Sequence, residues 1–307
     1  MAIRFHGVRR LDVAPAAHPR GAAFLSAASG LVRVGRRLWV VADDEHHLGV
    51  FVDGSTAPLE LVRIADGELP ADAKQRKKAK GDFEALLAVP PTAAWPNGAL
   101  LAFGSGSRPR RFGAALLPLD RRGDAAGPAR SLDLEPLYAP LVAACGEPNV
   151  EGAFVSGNDL VLLQRGGDGG RPNAALRWPW PSVEAWLAGK TTAAMKPSSL
   201  MRLALGDIDG VALGFTDGAA LPDGAWLFSA VAERSDNSYD DGPCAGAALG
   251  VVGADGTLRA LHRLTPTRKV EGVEACVVDG RIEIGLVTDA DDAAQPAEYG
   301  RASLPLS

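Results

Sequence analysis

The chain has 307 residues, a formal net charge of −5 and three cysteines, and 47% of its residues are hydrophobic. This apolar content is enough for a folded core and excludes an intrinsically disordered chain. The mixed charges favour neither nucleic acid nor an anionic membrane as a partner, and three cysteines without a CxxC pair do not indicate a disulfide framework.

Taken in chain order, short apolar runs alternate with turn residues. Residues 3–13 alternate apolar and polar side chains and predict one strand. Residues 30–64 predict four strands, with turns at Gly35-Arg36 and Asp53-Gly54. The polar residues 65–80 follow and predict a surface excursion.

The rest of the chain continues this pattern. We predict strands at residues 99–103, 114–118, 160–164, 199–205, 247–252, 258–264 and 282–287, and short helices within 131–142 and 178–187. Turn dipeptides recur at intervals of two strands, which is typical of an all-β antiparallel architecture. No stretch is long and apolar enough for a signal peptide or a membrane span, so we expect a cytoplasmic protein.

A short phrase recurs five times. In each copy an oxygen-bearing residue precedes a small residue and a strand-like run, and these anchor residues are Ser29, Glu84, Glu151, Asp217 and Glu271. Successive anchors are 55, 67, 66 and 54 residues apart, and 65 residues separate the last anchor from the first across the termini. Since the repeat closes on itself, it favours a propeller over a solenoid. We therefore predict one all-β domain, a five-bladed β-propeller closed by an N-terminal strand in the last blade.

The anchors are expected to converge around the axis at one mouth of the channel. At roughly 6–8 Å, each pair of like charges costs on the order of 2 kcal/mol at an effective dielectric constant near 20. Either some carboxylates are protonated or a cation lies between them. All-oxygen ligation suits Ca²⁺, with water completing the shell. Zinc or copper is not expected because no His or Cys occupies an anchor.

Two alternatives accompany this prediction. The acids could instead cap strands or pair with neighbours such as Lys80 and Lys269. In blade four, Thr216 or Asp209 could take the place of Asp217.

The ends of the second strands should surround the anchors, because the second strand of a blade returns antiparallel to the first. Asp43, Asp44 and Glu233 are the candidate catalytic bases, and Arg108, Arg165 and Asp289 are the candidate ligand-binding residues. The arginines would attract a phosphate or carboxylate beside a bound dication, although pairing with surface acids is an equally plain explanation. His46 and His47 follow the first acids, and at most one of them can point inward.

The anchor set resembles the calcium-activated nucleotidase (apyrase) family and is similar to phytase-like bacterial propellers. Gly214-Phe215-Thr216 and the segment that leads into Lys269-Val270-Glu271-Gly272 carry the likeness. The resemblance implies a five-bladed propeller with a Ser- and Glu-lined central calcium site, and it suggests nucleotide hydrolysis.

Two functions follow. The first is a calcium-dependent hydrolase of a small phosphorylated compound. The second is a non-catalytic propeller with a structural calcium, whose mouth binds a ligand or a protein.

Overall fold

The computed structural model describes residues 2–166, 171–234 and 244–306. Its strands form five sheets, and the inner strands of neighbouring sheets contact one another in a closed ring. This arrangement is the predicted five-bladed β-propeller. None of the helices in the described residues combines the length and the apolar character that crossing a membrane requires.

Two short N-terminal strands come first, β1 (Ala2–Arg4) and β2 (His6–Arg10). Each of the first three blades is then a four-stranded antiparallel sheet that runs from the inside outwards. Blade one contains β3 (Ala28–Val34), β4 (Arg37–Ala42), β5 (His47–Val52) and β6 (Glu60–Arg63). Blade two contains β7 (Phe83–Val89), β8 (Ala99–Gly104), β9 (Gly113–Pro118) and β10 (Arg130–Asp133). Blade three contains β11 (Val150–Ser156), β12 (Asp159–Gln164), β13 (Asn173–Pro179) and β14 (Ser199–Leu203).

The two N-terminal strands pair with the outer strands of the last two blades. Blade four contains β15 (Asp207–Ile208), β16 (Val211–Ala220), β17 (Trp226–Glu233), β18 (Cys244–Val252) and β19 (Leu258–Thr265), and β1 pairs in parallel with β19. Blade five contains β20 (Val270–Val278), β21 (Arg281–Thr288) and β22 (Glu298–Pro305). Strand β2 pairs antiparallel with β22 and completes blade five.

The predicted closure of the ring by an N-terminal strand in the last blade is confirmed, but the strand is divided. The prediction treated residues 3–13 as one strand of blade five. In the structure Phe5 separates two pieces, and its amide donates a hydrogen bond to the carbonyl of Thr265 (2.7 Å). The first piece belongs to blade four, so the N-terminus joins the outer edges of two blades.

The described connections contain three α-helices: α1 (Ala73–Ala79), α2 (Glu135–Cys145) and α3 (Trp180–Leu187). Helix α1 forms inside the predicted polar excursion. It begins where the carboxylate of Asp72 accepts a hydrogen bond from the amide of Gln75 (2.9 Å), which satisfies one of the free donors of the first turn.

The core consists of five apolar clusters, one between each pair of neighbouring blades in the described residues. Fully buried Trp39, Trp178 and Trp226 lie in three of them. Because each sheet packs both faces against a neighbour, the strands read as nearly continuous apolar runs. A charged residue inside such a run therefore requires a local explanation.

Candidate functional site

The inner strands share a β-bulge at one mouth of the channel. Pairing between the first and second strand of every blade skips one residue near the start of the first strand. A bulge leaves the extra residue unpaired and redirects its side chain. The skipped residues are Ser29, Glu84, Glu151, Thr216 and Glu271.

Blade four departs from the prediction. Its bulge residue is Thr216, the alternative to Asp217, and Asp217 pairs in register with Ser229. The Thr216 hydroxyl donates to the carbonyl of Val270 (2.8 Å) and hydrogen-bonds with the Ser229 hydroxyl (2.9 Å). This hydroxyl is fully buried and already partnered. Blade four therefore contributes no carboxylate to the ring of bulge residues.

Asp217 lies one residue further along its strand, where the other blades have Gly30, Ala85, Gly152 and Gly272. Its carboxylate accepts hydrogen bonds from the amides of Val273 (2.8 Å) and Gly218 (2.7 Å), and the Leu31 amide is a third donor. These donors belong to three different blades. The structure thus uses Asp217 to join inner strands across the channel, which differs from the predicted role beside the glutamates.

Three carboxylates converge between blades one and two. One oxygen each from Asp43, Asp82 and Glu84 lies within 4.8 Å of the other two. Asp43 directly follows β4, and Glu84 occupies the bulge of β7. Among the described residues, Glu84 makes neither a hydrogen bond nor an ion pair.

Two basic side chains and a hydroxyl balance the other two acids. The Lys80 ammonium contacts Asp43 and lies 2.9 Å from Asp82 Oδ1. Arg111 Nη1 lies 2.6 Å from Asp82 Oδ2, to which the Ser105 hydroxyl also donates (2.6 Å). Lys80 was considered as a partner for the anchors, and the structure pairs it with the neighbours of Glu84.

The third blade contributes Glu151 and Arg165. Arg165 Nη2 lies 2.6 Å from Glu233 Oε2, and Arg165 Nη1 lies 3.8 Å from Glu151 Oε1. The side-chain amide of Asn149 donates to the same oxygen of Glu151 (2.7 Å). A single half-buried arginine therefore links a bulge carboxylate with the end of β17.

In the fifth blade, Lys269 contacts three acidic side chains. Its ammonium lies 2.5 Å from Asp291 Oδ1, 3.3 Å from Glu233 Oε1 and 3.4 Å from Glu271 Oε1. The last oxygen accepts no hydrogen bond among the described residues. Asp289 follows β21 and accepts a hydrogen bond from the amide of Asp291 (2.7 Å).

Three further predicted residues face other partners. Asp44 pairs with Arg76 (3.0 Å) and Arg20 (3.6 Å), which tie the N-terminal linker and α1 to blade one. Arg108 is exposed, and Arg111 of the same loop contacts Asp82. The Ser29 hydroxyl donates to the carbonyl of Ala27 (3.2 Å).

Burial raises the pKa of several carboxyl groups of the mouth. It raises the pKa of Asp43 to about 6, of Glu271 to about 7, and of Glu151 and Asp289 to about 8. The pKa of Glu84 is raised well above its usual range by burial and by the nearby charges of Asp43 and Asp82. Neighbouring Lys80, Arg165 and Lys269 oppose these shifts, because a nearby positive charge favours the ionised carboxylate.

The donors of the mouth fit a hard cation. The three converging groups are carboxylates, and Glu84 has free acceptor capacity, as oxygen ligation of Ca²⁺ requires. Lys80 is the competing cation, since it already contacts two of the three. The cluster lies to one side of the axis, between two blades, whereas the prediction placed the cation on the axis.

Several residues of the mouth were absent from the predicted set, although the sequence contains a signal for them. Side chains two residues apart on a strand lie on the same side. The residues two positions before the glutamate anchors are Asp82, Asn149 and Lys269. All three contact the acids of the mouth.

A sequence profile decides the family. Residues 76–293 match a family of unknown function, DUF6910. The chain belongs to this family. The matched range contains Glu84, Glu151 and Glu271 with Lys80, Arg111, Arg165 and Lys269, and it omits blade one with Asp43.

The solved structures that are similar to this chain bear on its fold alone. A GH43 β-1,3-galactosidase resembles this DUF6910 member with a TM-score of 0.51 and 9% identity, covering 97% of this chain and 59% of that one. The α-L-arabinanase of Cellvibrio cellulosa gives 0.47 and 11%, with 90% and 91% covered. The tail fiber of Staphylococcus aureus phage P68 gives 0.46 and 9%, with 100% and 53% covered. No curated protein matches the sequence.

The chain spans less than two thirds of the galactosidase and of the tail fiber. At these identities the likeness establishes a propeller and nothing of the activity.

Proposed function

We propose that this propeller is a calcium-dependent binding protein whose acidic mouth takes up a small anionic compound. The observation that carries the proposal is the convergence of Asp43, Asp82 and Glu84. Their ligand atoms are all carboxylate oxygens, which suit Ca²⁺. The resemblance of the anchor phrases to calcium-activated nucleotidases points to the same ion.

Lys80 and Glu84 have different roles in this proposed site. Within the part of the chain that the structure describes, the Glu84 side chain has no hydrogen-bond or ion-pair partner to lose, so it supplies the oxygen that is ready for a cation. Lys80 neutralises Asp43 and Asp82 in the absence of a cation, and it must leave Asp43 when the cation binds. Arg111 and Ser105 remain on Asp82 and hold its carboxylate in place.

The basic residues of the mouth supply the attraction for an anion. Half-buried Arg165 and buried Lys269 lie beside Glu151 and Glu271, and both contact Glu233. A phosphate or carboxylate ligand would exchange with Glu233 as their partner, and arginine binds both groups in a bidentate manner. Cation binding nearby favours this exchange, because a positive charge at the acids reduces their repulsion of an anionic ligand.

Binding is favoured over catalysis by the pairing of the predicted bases. Asp43 contacts Lys80, Asp44 contacts Arg76, and Glu233 contacts Arg165. A general base needs a carboxylate that can accept a proton from water within hydrogen-bond reach. Before a cation or ligand binds, each of these carboxylates faces a basic side chain, and Asp44 keeps Arg76 as its partner afterwards.

Hydrolysis of a phosphorylated compound is the second candidate, favoured by the proximity of Arg165 and Lys269 to the acids. In that case the cation would polarise the phosphoryl group, and the two basic residues would stabilise its charge. The two candidates differ in whether the bound compound is consumed.

The test measures calcium binding by titration calorimetry and by thermal unfolding, with EGTA as the reference. Calcium at 100 times its Kd should stabilise the folded protein by about 2.7 kcal/mol. Glu84→Gln should lose most of this effect, whereas Glu60→Gln on the exposed face of β6 should keep it. Thr216→Val should also keep it, because the Thr216 hydroxyl is already partnered.

A folded wild-type protein that takes up no calcium would contradict the proposal. Calcium-loaded protein is then titrated with a panel of nucleotides and phosphate esters, with phosphate release measured in parallel. Binding without release supports the first candidate. Release that is lost in Glu84→Gln supports the second.

A further inference from the structure

The opposite end of the channel forms a second, apolar cavity. It encloses about 500 Å³ and receives residues from the inner strand of every blade. One lining residue from each is Leu31, Leu87, Phe154, Ala219 and Val273. These lie two or three positions beyond the bulge residues, so the cavity begins roughly 7–10 Å along the strands from the acidic mouth. We refer to this cavity as the apolar funnel.

A closely packed layer separates the funnel from the acidic mouth. A Cβ atom on Gly152 would lie 3.0 Å from Asp217 Cα, and one on Gly272 would lie 2.8 Å from the carbonyl carbon of Gly30. Inner strands this close leave no room for side chains at these two positions. The Asp217 carboxylate fills the layer and bonds to amides from blades four and five. The residues that line the funnel are therefore distinct from those of the acidic mouth.

The lining of the funnel is apolar and has no unbalanced charge. Fourteen of its sixteen lining residues are apolar or glycine, and the other two are Arg33 and Glu274. Arg33 binds both oxygens of Glu274, at 3.1 and 2.7 Å, and Asp53 at 3.0 Å. A charged ligand would enter without a free counter-charge and would lose its hydration, so an uncharged ligand is favoured.

The inner strands also offer polar backbone groups. Each is the terminal strand of its sheet or pairs beyond it only with a two-residue strand, so its inner edge has unpaired N–H and C=O groups. Asp217 already uses three of these amides in the layer above. Further along the inner strands, at the end of the channel that the funnel occupies, other unpaired backbone N–H and C=O groups can hydrogen-bond to one neutral polar group of a ligand.

We propose that the apolar funnel is a second binding site, which takes an uncharged, largely apolar small molecule with one hydrogen-bonding group. Its volume lies in the range of small-molecule pockets, about 300–1,000 Å³. The proposal does not depend on the acidic mouth, since the two sites have distinct residues.

The test uses N-phenyl-1-naphthylamine, a neutral fluorescent probe, in titrations of the full chain. Ala88→Phe and Ala219→Phe each fill the funnel from a different blade, and neither alanine belongs to a core cluster. Both should weaken probe binding about tenfold or more, which corresponds to about 1.4 kcal/mol. Ala194→Phe, at an exposed position, should bind as the wild type does, and calcium and EGTA should give equal affinities.

Folding of each variant is checked by circular dichroism and thermal unfolding. The proposal is overturned if folded wild-type protein shows no saturable binding, or if both folded filling variants bind like Ala194→Phe. If neither filling variant folds, a crystal of the wild type grown with the probe decides: density inside the funnel supports the proposal, and density elsewhere refutes it. Failure of calcium binding affects none of these outcomes.

Discussion

Replacing Asp217 by alanine should destabilise the propeller more than any other single change at the acidic end of the channel. The Asp217 carboxylate accepts hydrogen bonds from the amides of Gly218, Val273 and Leu31 inside a closed layer. A buried donor that loses its acceptor costs about 1–3 kcal/mol. Three such donors give a loss of at least about 3 kcal/mol, reduced if water enters the space. For a chain of this size we expect the Tm to fall by roughly 5–10 °C.

The assay is thermal and urea unfolding of Asp217→Ala, with Asp66→Ala as the control. Asp66 is exposed, so its replacement should change the stability by no more than about 0.5 kcal/mol. Asp217→Asn is a second probe, because its carboxamide keeps one acceptor but turns an N–H₂ group towards an amide donor. It should fall between the wild type and Asp217→Ala. The reasoning is refuted if Asp217→Ala is as stable as the control.

Two other predictions concern the acidic mouth. The folded state keeps protons on Asp43, Glu151, Glu271 and Asp289 that the unfolded chain releases near pH 4. In EGTA the Tm should therefore fall as the pH rises from about 5 to about 8, and added calcium should reduce the fall; a Tm that rises across this range would contradict the pKa shifts. Lys80→Gln removes the ammonium that competes for Asp43 and Asp82, so it should lower the Tm in EGTA and tighten calcium binding about tenfold, by roughly 1.4 kcal/mol. Exposed Lys78→Gln, in the last turn of α1 just before Lys80, should do neither, and unchanged calorimetric affinity in Lys80→Gln would show that Lys80 does not compete.

The propeller could be predicted because its repeat is visible locally. An oxygen-bearing residue followed by glycine or alanine, placed just before an apolar run, marks an inner strand. The structural reason is a bulge at the oxygen-bearing residue and close strand packing at the small residue. Four of the five anchors that this pattern identified are bulge residues.

The fifth anchor could not be resolved in the same way. Asp217-Gly218 imitates the glutamate–glycine pair, but the bulge position depends on which residue pairs with Ser229. That register is decided by β17, which lies beyond the next turn, and no local pattern reports it. The division of the N-terminal strand has a similar cause, since β1 pairs with β19, which lies near the other end of the chain.

The ion pairs of the mouth were predictable only in part. Lys80 and Lys269 were named as possible partners because they lie near anchors in sequence. Arg111 lies in a 3₁₀ turn, Pro109–Arg111, and its contact with Asp82 has no local signal in the sequence. Arg165 lies directly after a second strand, and its position there followed from the topology alone.

The asymmetry of blade four explains how one channel serves two chemically different ends. Had blade four carried a glutamate at its bulge and glycine after it, four carboxylates would face each other above an open axis. Instead, Thr216 removes one charge from the acidic ring, and Asp217 places a carboxylate in the next layer, where three amides bind it. The proposed cation-binding groups therefore lie to the side, between blades one and two, where Asp43 and Asp82 complement Glu84. Asp217 lies between these groups and the apolar funnel.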